Sequence, residues 1–301
     1  MRLALGPVLY HWPRERMLGF YAEAAEAPVE IVYLGEAVCA RRREMRLDDW
    51  LAAARILAAG GKEVVLSSQA LLESEADLRA LRRLAEAGAF CIEANDLSAV
   101  GVLAGRGPFV AGPHLNVYNA RTLALLARLG AARWVAPVEI SRAQLEAIAA
   151  DRPPGLEIEL FAHGRLPLAF SARCFTARHY NLQKDDCGFR CMDHPDGLPL
   201  QTADGDPFLV LNGIQTQSAR VYALLGDLAA VACSGVDIVR ISPQAHGTFE
   251  VLRAYRNALE RGASRSSADL HLAGHAPDET CNGYWHGVAG LERVRTEGQA
   301  T

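Results

Sequence analysis

The sequence lacks any long uncharged apolar run. No stretch approaches the roughly 18 apolar residues of a membrane span, and even the most apolar segment, 218–235, carries Arg220 and Asp227. The opening MRLALGPVLYHWP holds only a short apolar run, which Pro7 and Pro13 interrupt, so it does not resemble a signal peptide. We therefore expect a soluble, cytoplasmic protein without a transmembrane segment.

The sequence also lacks an excess of positive charge and the familiar nucleotide or peptidase motifs. Lys and Arg number 31 against 35 Asp and Glu, which gives a net charge of −4, so tight sequence-independent binding to nucleic acid is disfavoured. The sequence has no G-x-G-x-x-G after its first strand and no Walker A lysine. It has neither a G-x-S-x-G elbow nor an H-E-x-x-H helix. These absences leave nucleotide-binding and peptidase functions without support.

Cysteine is present in an odd number, seven, which argues against a framework of disulfides. Without an export signal, clustered cysteines more often bind metal or act in catalysis. Neither the paired C-x2-C motifs of a zinc knuckle nor the C-x3-C-x2-C of a radical SAM protein occurs. The seven positions are Cys39, Cys91, Cys174, Cys187, Cys191, Cys233 and Cys281.

Short β-rich runs alternate with amphipathic helical segments along most of the chain. Several runs are continuously apolar, as expected for parallel strands that are buried on both faces. Eight such runs favour a TIM-barrel-like (β/α)8 fold of the α/β class, with a doubly wound open sheet as the alternative. The runs are Leu3–Leu9, Glu30–Gly35, Glu63–Ser67, Phe90–Glu93, Phe109–Ala111, Trp134–Val138, Glu157–Ala162 and Asp237–Ser242.

Residues 163–217 break this alternation. The segment is dense in Arg, Cys, Asp, Gly and Pro, and it ends in one more strand-like run, Phe208–Ile214. Long irregular insertions in compact domains are usually functional or disordered, and the three cysteines favour function. We predict one barrel domain over 1–262 that includes this insertion near its C-terminal rim, and a tail over 263–301 that packs on the barrel.

Four of the cysteines are predicted to converge. Cys39 follows the second strand, and Cys174, Cys187 and Cys191 lie in the insertion after the seventh. The carboxyl ends of barrel strands share one rim, so all four thiols can meet there. Four thiolates suit either zinc or an iron–sulfur cluster, and unligated cysteines are a third interpretation. Cys91 and Cys233 look like core residues, and Cys281 looks like a packed tail residue.

Several polar residues are further candidates. Residues that follow strands would face a rim pocket or, more simply, cap helices and satisfy buried backbone groups. His163 and Arg173 flank the cysteine motif, and Arg173 would bind an anion or pair with Asp185 or Asp186. The residues that follow strands are Glu36, Asn95, His114, Asn116 and Glu139. The run Arg41–Arg43 is typical of a solvated face, or would bind an acidic partner or the carboxylate of a substrate. Asn212 and Gln215 are expected to close a buried polar network.

Long motifs of this chain resemble those of the U32 family, historically labelled peptidases, and within it the UbiV branch. The motifs are LGPVLYHWPRE, VYLGEAVCARRR, FVAGPHLNVYNA, LPLAFSARCFTAR, VLNGIQT and CNGYW, so the resemblance covers nearly the whole chain. It implies an iron–sulfur subunit of an O2-independent hydroxylase that acts on the aromatic ring of ubiquinone precursors. It also implies a heterodimer with a UbiU-like protein, a UbiT-like lipid-binding accessory protein, and prephenate as the oxygen donor.

The same resemblance implies the cofactor ligands. A [4Fe–4S] cluster would be held by Cys39, Cys174, Cys187 and Cys191. The common U32 pattern has a cysteine shortly after its His-Gly pair, whereas His163-Gly164 here is followed by no thiol. Cys39 would replace that ligand. Two other functions stay open at this point: hydroxylation of RNA bases, as in other U32 proteins, and a zinc-stabilised scaffold without catalysis.

Overall fold

The computed structural model describes residues 1–261 and 279–295. The strands in these ranges are β1 (Arg2–Leu5), β2 (Ile31–Leu34), β3 (Glu63–Ser67), β4 (Cys91–Ala94), β5 (Phe109–Ala111), β6 (Ala131–Val135), β7 (Glu157–Phe170), β8 (Leu198–Gln201), β9 (Pro207–Asn212), β10 (Gln215–Ala223), β11 (Ile238–Ile241) and β12 (Thr280–Cys281). The helices are α1 (Arg14–Glu26), α2 (Leu47–Ala59), α3 (Glu75–Glu86), α4 (Leu97–Leu103), α5 (Ala120–Arg128), α6 (Arg142–Ala150), α7 (Phe175–His179), α8 (Leu228–Cys233) and α9 (Thr248–Arg261).

Eight parallel strands close into a barrel. Strands β1 to β7 pair in chain order, and β11 pairs in parallel with both β7 and β1. A helix follows most of these strands, so the TIM-barrel-like fold predicted from the sequence is confirmed. The open-sheet alternative is wrong, because β11 leaves no free edge between β7 and β1.

The helices pack on the outside of the barrel through apolar stripes. In α2 the buried residues Trp50, Ala53, Ala54 and Leu57 recur at three- and four-residue spacing, which places them on one face. Asp48 and Asp49 occupy its first turn, where carboxylates favour the positive end of the helix dipole. This pattern fixes which side of the helix meets the strands.

Charged side chains fill part of the barrel interior. The guanidinium of Arg240 lies 2.8 Å from Glu93 and 2.6 Å from Glu159, and its carbon lies 3.9 Å from the ring centre of Tyr33. Arg133 donates a 3.0 Å hydrogen bond to the Tyr33 hydroxyl. These groups are almost wholly buried, and a buried charge is tolerated when it is paired and hydrogen-bonded. The interior is therefore a packed polar core rather than a channel.

Strand β7 does not stop where the sequence suggested. We predicted a strand that ends at Ala162 and an irregular insertion over 163–217, but β7 continues to Phe170. Its outer half pairs antiparallel with β10, followed by β9 and β8. We call these four strands the arm sheet. Gly164 permits the exit from the barrel: its φ is +125°, and an added Cβ would lie 2.6 Å from the Ser242 Cβ.

The tail, predicted over 263–301, is described over 279–295. There β12 pairs with β10, and Trp285 and Cys281 are fully buried in the main apolar core. The Asn282 amide donates to Asp227 at 3.1 Å. Residues 263–278 and 296–301 of the predicted tail lie outside the described part. Among the helices described, none has the length and apolar character needed to cross a bilayer.

Candidate cysteine site

The cysteines lie on two loops at the carboxyl-terminal rim of the barrel. The first loop, residues 35–46, follows β2 and carries Cys39. The second, residues 171–197, joins β7 to β8 and carries Cys174, Cys187 and Cys191. We call the second loop the cysteine loop.

The cysteine loop is fixed to the turn between β9 and β10. The Ser171 N–H donates to the Ile214 carbonyl at 2.9 Å, and the Phe175 N–H donates to the Gly213 carbonyl at 2.8 Å. In return the Gly213 N–H donates to the Thr176 hydroxyl at 3.0 Å. These bonds hold the first turn of α7, and with it Cys174, against the arm sheet.

A turn with two left-handed residues lies between the two cysteines of the C-x3-C motif. Gly188 and Phe189 both have left-handed backbone angles, with φ of 55° and 52°. A left-handed phenylalanine is uncommon and needs support from its surroundings. The Phe189 ring receives that support from the ring of His11, at a centroid separation of 5.6 Å.

The four predicted thiols are brought to one place. Cys39 is electrostatically coupled to Cys191 and Cys174, and Cys174 is coupled to Cys187 and Cys191. Cys39 belongs to a small buried apolar cluster with Leu9, Ala37, Val38 and Ile214, against which Cys174 packs. Each of the four thiols therefore lies within electrostatic reach of at least one other. Their role as ligands stays a prediction.

Burial raises the pKa of three of these thiols, Cys39, Cys174 and Cys191. The nearby Arg42 guanidinium opposes that rise in pKa for Cys39 and Cys191. The Cys174 sulfur accepts a hydrogen bond from the Ala177 N–H at 3.4 Å. The Cys191 sulfur lies 3.5 Å from Nδ1 of His11. The site thus supplies hydrogen-bond donors and a cation to groups that bind metal as anions.

Arg42 is the residue that sequence reasoning missed. We expected a solvated charge run over Arg41–Arg43, but only 5% of Arg42 is exposed. Its guanidinium donates to the Leu9 carbonyl and to Oδ1 of Asn212, both at 2.7 Å, and lies 3.6 Å from Glu36. The neighbouring Arg41 instead pairs with Asp185 at 2.9 Å. Burial of one arginine in a row of three leaves no periodic signal in the sequence.

The donor set of four thiols is chemically suited to an iron–sulfur cluster. One tetrahedral zinc ion requires sulfurs about 3.8 Å apart, since each Zn–S bond is about 2.3 Å. Across residues 1–261 and 279–295, no three His, Cys, Asp or Glu side chains are arranged to hold one ion. A [4Fe–4S] cluster takes one thiolate per iron, so its ligands surround a wider space. Nε of Arg42 and Nε2 of His11 are buried without a hydrogen-bond partner, and the Arg42 N–H is a donor suited to cluster sulfur.

The predicted rim residues divide between two cavities and the cysteine site. His114, Asn116 and Glu139 line a pocket of ≈ 220 Å³, which we call the rim pocket. Asn95 lines a smaller cavity of ≈ 20 Å³ at the barrel mouth, together with His114, with room for about one water. Glu36 lies instead beneath Cys39, where its carboxylate accepts the Cys39 N–H at 3.0 Å.

The remaining candidate residues from the sequence make contacts that stabilise the fold. His163 is buried against the Tyr255 ring, at a centroid separation of 5.8 Å, and is not part of the cysteine site. The Arg173 backbone N–H donates to the Ser171 hydroxyl at 3.1 Å. Asp185, one of the two predicted partners of Arg173, accepts a hydrogen bond from Arg41 instead. The predicted Asn212–Gln215 network is confirmed by a 3.1 Å hydrogen bond between their side chains.

The three cysteines outside the site differ in burial. Cys281 is buried, as expected of a packed tail residue, and Cys91 is partly buried at the start of β4. Cys233 was expected in the core, and that prediction is wrong because the residue is exposed at the end of α8. All six residues of α8 (LAAVAC) are apolar, so its sequence gives no means of telling the buried face from the exposed one.

Solved structures similar to this one have low sequence identity to it. One is titled the U32 peptidase Mk0906, with 13% identity over 81% of this chain and 94% of that chain and a TM-score of 0.46. Another is Mycobacterium tuberculosis tryptophan synthase, with 12% identity over 85% and 88% of the two chains and a TM-score of 0.44. Dihydropteroate synthase from Thermus thermophilus matches with 13% identity over 86% and 92% and a TM-score of 0.42.

The family model described as peptidase family U32 matches residues 16–293. That range includes most of the barrel, the arm sheet and all four rim cysteines. The chain therefore belongs to the U32 family.

Proposed function

We propose that this chain is the iron–sulfur subunit of an O2-independent hydroxylase that acts on the aromatic ring of ubiquinone precursors. In this proposal it is a UbiV-type member of the U32 family, works in the cytoplasm, and pairs with a UbiU-like protein as a heterodimer. A UbiT-like lipid-binding protein would present the precursor, and prephenate would supply the oxygen. The proposal includes no peptidase activity.

The convergence of four thiols carries the proposal. Cys39 lies on one loop and interacts electrostatically with Cys174 and Cys191 on another, and Cys174 also interacts with Cys187, which supports a shared site. Unrelated core cysteines have no reason to gather at the rim where barrel enzymes place their active sites. A [4Fe–4S] cluster bound there would supply one-electron chemistry or polarise a bound oxygen donor.

The residues around the thiols have distinct tasks in this proposal. Arg42 and His11 supply donors and, in the case of Arg42, a buried positive charge that offsets the negative charge of a cluster with four thiolates. Glu36 accepts the backbone N–H groups of Val38 and Cys39 and so holds the first cysteine-bearing loop in shape. Phe189 shields the His11 side of the site from water.

Metal analysis tests the cofactor. Protein purified without oxygen should contain about four irons and four sulfides per chain and absorb visible light. Alanine at Cys39, Cys174, Cys187 or Cys191 should each remove most of the iron, whereas Cys91→Ala and Cys233→Ala should leave it unchanged. Stoichiometric zinc without iron after anaerobic reconstitution contradicts the proposal and supports the scaffold function.

A genetic assay tests the reaction and the partner. A strain that carries only the Cys187→Ala variant should make no ubiquinone without oxygen and normal ubiquinone with oxygen. Tagged wild-type protein should co-purify with a UbiU-like chain, and hydroxylation should require both. Normal anaerobic ubiquinone in the Cys187→Ala strain would overturn the catalytic role of the cysteine site.

A further inference from the structure

The rim pocket lies next to the cysteine site and has a wall in common with it. It is formed by the loops after β5 and β6 and by the outer half of β7. Phe170 lines the pocket and also packs against the buried apolar cluster that contains Cys39. A molecule in the pocket would therefore be separated from the cysteine site by one aromatic side chain.

Most of the side chains that line the pocket are apolar, polar atoms contribute the larger share of its exposed surface, and its loops are rigid. Pro113, Pro137 and Pro167 each contribute to the lining, and proline has a fixed φ that limits movement of the loops. The ring of Phe170 meets the ring of His114 edge to face at a centroid separation of 4.7 Å. Apolar side chains with one aromatic face offer a planar ring a surface on which to pack, and the polar atoms beside them offer hydrogen bonds to a hydroxyl on that ring.

The polar groups of the pocket are neutral or negative. Burial lowers the pKa of His114 to about 4, so its imidazole is uncharged at neutral pH and can donate or accept one hydrogen bond. At the mouth, the Tyr118 hydroxyl donates to the Glu139 carboxylate at 3.3 Å. Among the described residues that line the pocket, none is Lys or Arg. An anionic molecule would find no cation there.

From this geometry we infer that the rim pocket binds the neutral phenolic ring of the substrate and excludes the anionic oxygen donor. The inference rests on the proposed function, and it assigns the aromatic substrate a site of its own. The His114 imidazole bonds the ring hydroxyl while Phe170 packs against the ring. A space of ≈ 220 Å³ is below the roughly 300–1,000 Å³ of sites for larger ligands. One ring fits, and an isoprenoid chain must leave through the open mouth.

Direct binding measurements test the inference without an activity assay. The probe is 2-prenylphenol, titrated anaerobically into the full chain, alone and with its partner, and followed by calorimetry. Val138→Trp fills the pocket and should weaken binding at least tenfold, as should Ala70→Leu from the opposite wall. His114→Leu should weaken it about fivefold, the effect of one hydrogen bond. Leu97→Trp, at an exposed position on α4, is the matched control and should bind normally.

Visible absorption of each variant separates loss of the pocket from loss of the fold. Loss of phenol binding in Val138→Trp and Ala70→Leu with iron content retained supports the inference. Unchanged affinity in both variants, no binding to wild-type protein, or displacement of the phenol by equimolar prephenate would overturn it. The protein could bind the phenol in this pocket and yet contain no iron and have no hydroxylase activity. That result would contradict the proposed function but would support the binding site.

Discussion

Arg42 lies on the first cysteine-bearing loop, and its guanidinium is close to cysteines of both loops. It is coupled electrostatically to Cys39 and Cys191, and its hydrogen bonds reach Leu9 and Asn212. Glu36, its only close carboxylate among the described residues, lies 3.6 Å away. A cation in this position stabilises whichever state of a neighbouring group carries more negative charge.

Replacing Arg42 should therefore shift the reduction potential of the site. Reduction adds an electron, so loss of the cation in Arg42→Gln should make the potential more negative by tens of millivolts. Redox titration followed by electron paramagnetic resonance measures the shift. Arg42→Lys retains the charge and should have a smaller shift, although it loses the fork of hydrogen bonds. Equal potentials in wild type and Arg42→Gln would limit Arg42 to a structural role.

His163 is a second buried residue whose charge state matters. Only 1% of it is exposed, and neither ring nitrogen has a hydrogen-bond partner. Burial lowers the pKa of His163 to about 3. The ring is thus neutral in the folded protein and takes up a proton in the unfolded chain below an ordinary pKa of about 6.5.

Stability should therefore fall with pH below about 6.5. The folded pKa lies below the unfolded pKa, so the unfolded state binds more protons between about pH 6.5 and pH 3, and acid favours unfolding. Between pH 7.5 and 5.5 this one residue costs about 1.4 kcal/mol. Urea unfolding gives the free energy of unfolding at both pH values for wild type and for His163→Leu. The loss of unfolding free energy between pH 7.5 and 5.5 should be smaller in His163→Leu by that amount. An identical dependence in both proteins contradicts the assignment.

The bend of β7 is the structural step that links the barrel to the cysteine loop. Gly164 has a φ of +125°, and an added Cβ would meet the Ser242 Cβ at 2.6 Å. Gly164→Ala should thus destabilise the fold by roughly 2–4 kcal/mol, from strain and a forced contact. Gly155 also has a positive φ but has no atom within 4 Å of an added Cβ. Gly155→Ala should destabilise the fold by about 1 kcal/mol. Thermal unfolding of both variants measures the difference, and equal losses of stability would refute the contact between an added Cβ at position 164 and Ser242.

Sequence patterns predicted the barrel but not the length of β7. Continuous apolar runs such as Ile31–Leu34 identify strands that are buried on both faces. The outer half of β7 contains Gly164, Arg165 and Pro167, which are typical of a loop. Arg165 is nevertheless buried, because its guanidinium donates to the Ser218 carbonyl at 3.1 Å. That partner is on another strand, so local patterns carry no trace of it.

The sequence also predicted only part of the candidate site, namely the position of its cysteines. Chain topology placed Cys39 and the cysteine loop at one rim, since both follow barrel strands. Burial of Arg42 depends on Asn212, a contact across 170 residues. No spacing rule joins two such distant positions. The rim pocket could not be predicted for the same reason, because its walls come from separate parts of the chain.

The whole molecule has two parts that meet at the arm sheet. The outer face of the barrel and the tail have one apolar core, which includes Leu3, Trp134 and Trp285, and a separate small cluster with Ile31 and Val65 lies among the barrel strands. The cysteine site belongs to a smaller, separate apolar cluster above it. The main core and the cluster that contains Cys39 have few side chains in common. A substitution in one of them should therefore leave the other largely intact.

Two substitutions test this separation in opposite directions. Cys187 is only partly buried, so Cys187→Ala should remove iron yet leave the unfolding free energy of the iron-free protein within about 0.5 kcal/mol of wild type. Trp285 is 1% exposed, so Trp285→Ala should destabilise the protein by about 3–5 kcal/mol. Because the cysteine site lies outside that core, the folded fraction of Trp285→Ala should retain its iron. Iron analysis and urea unfolding of both variants check the pair, and loss of barrel stability in Cys187→Ala would mean that the cysteine loop and the barrel fold as one unit.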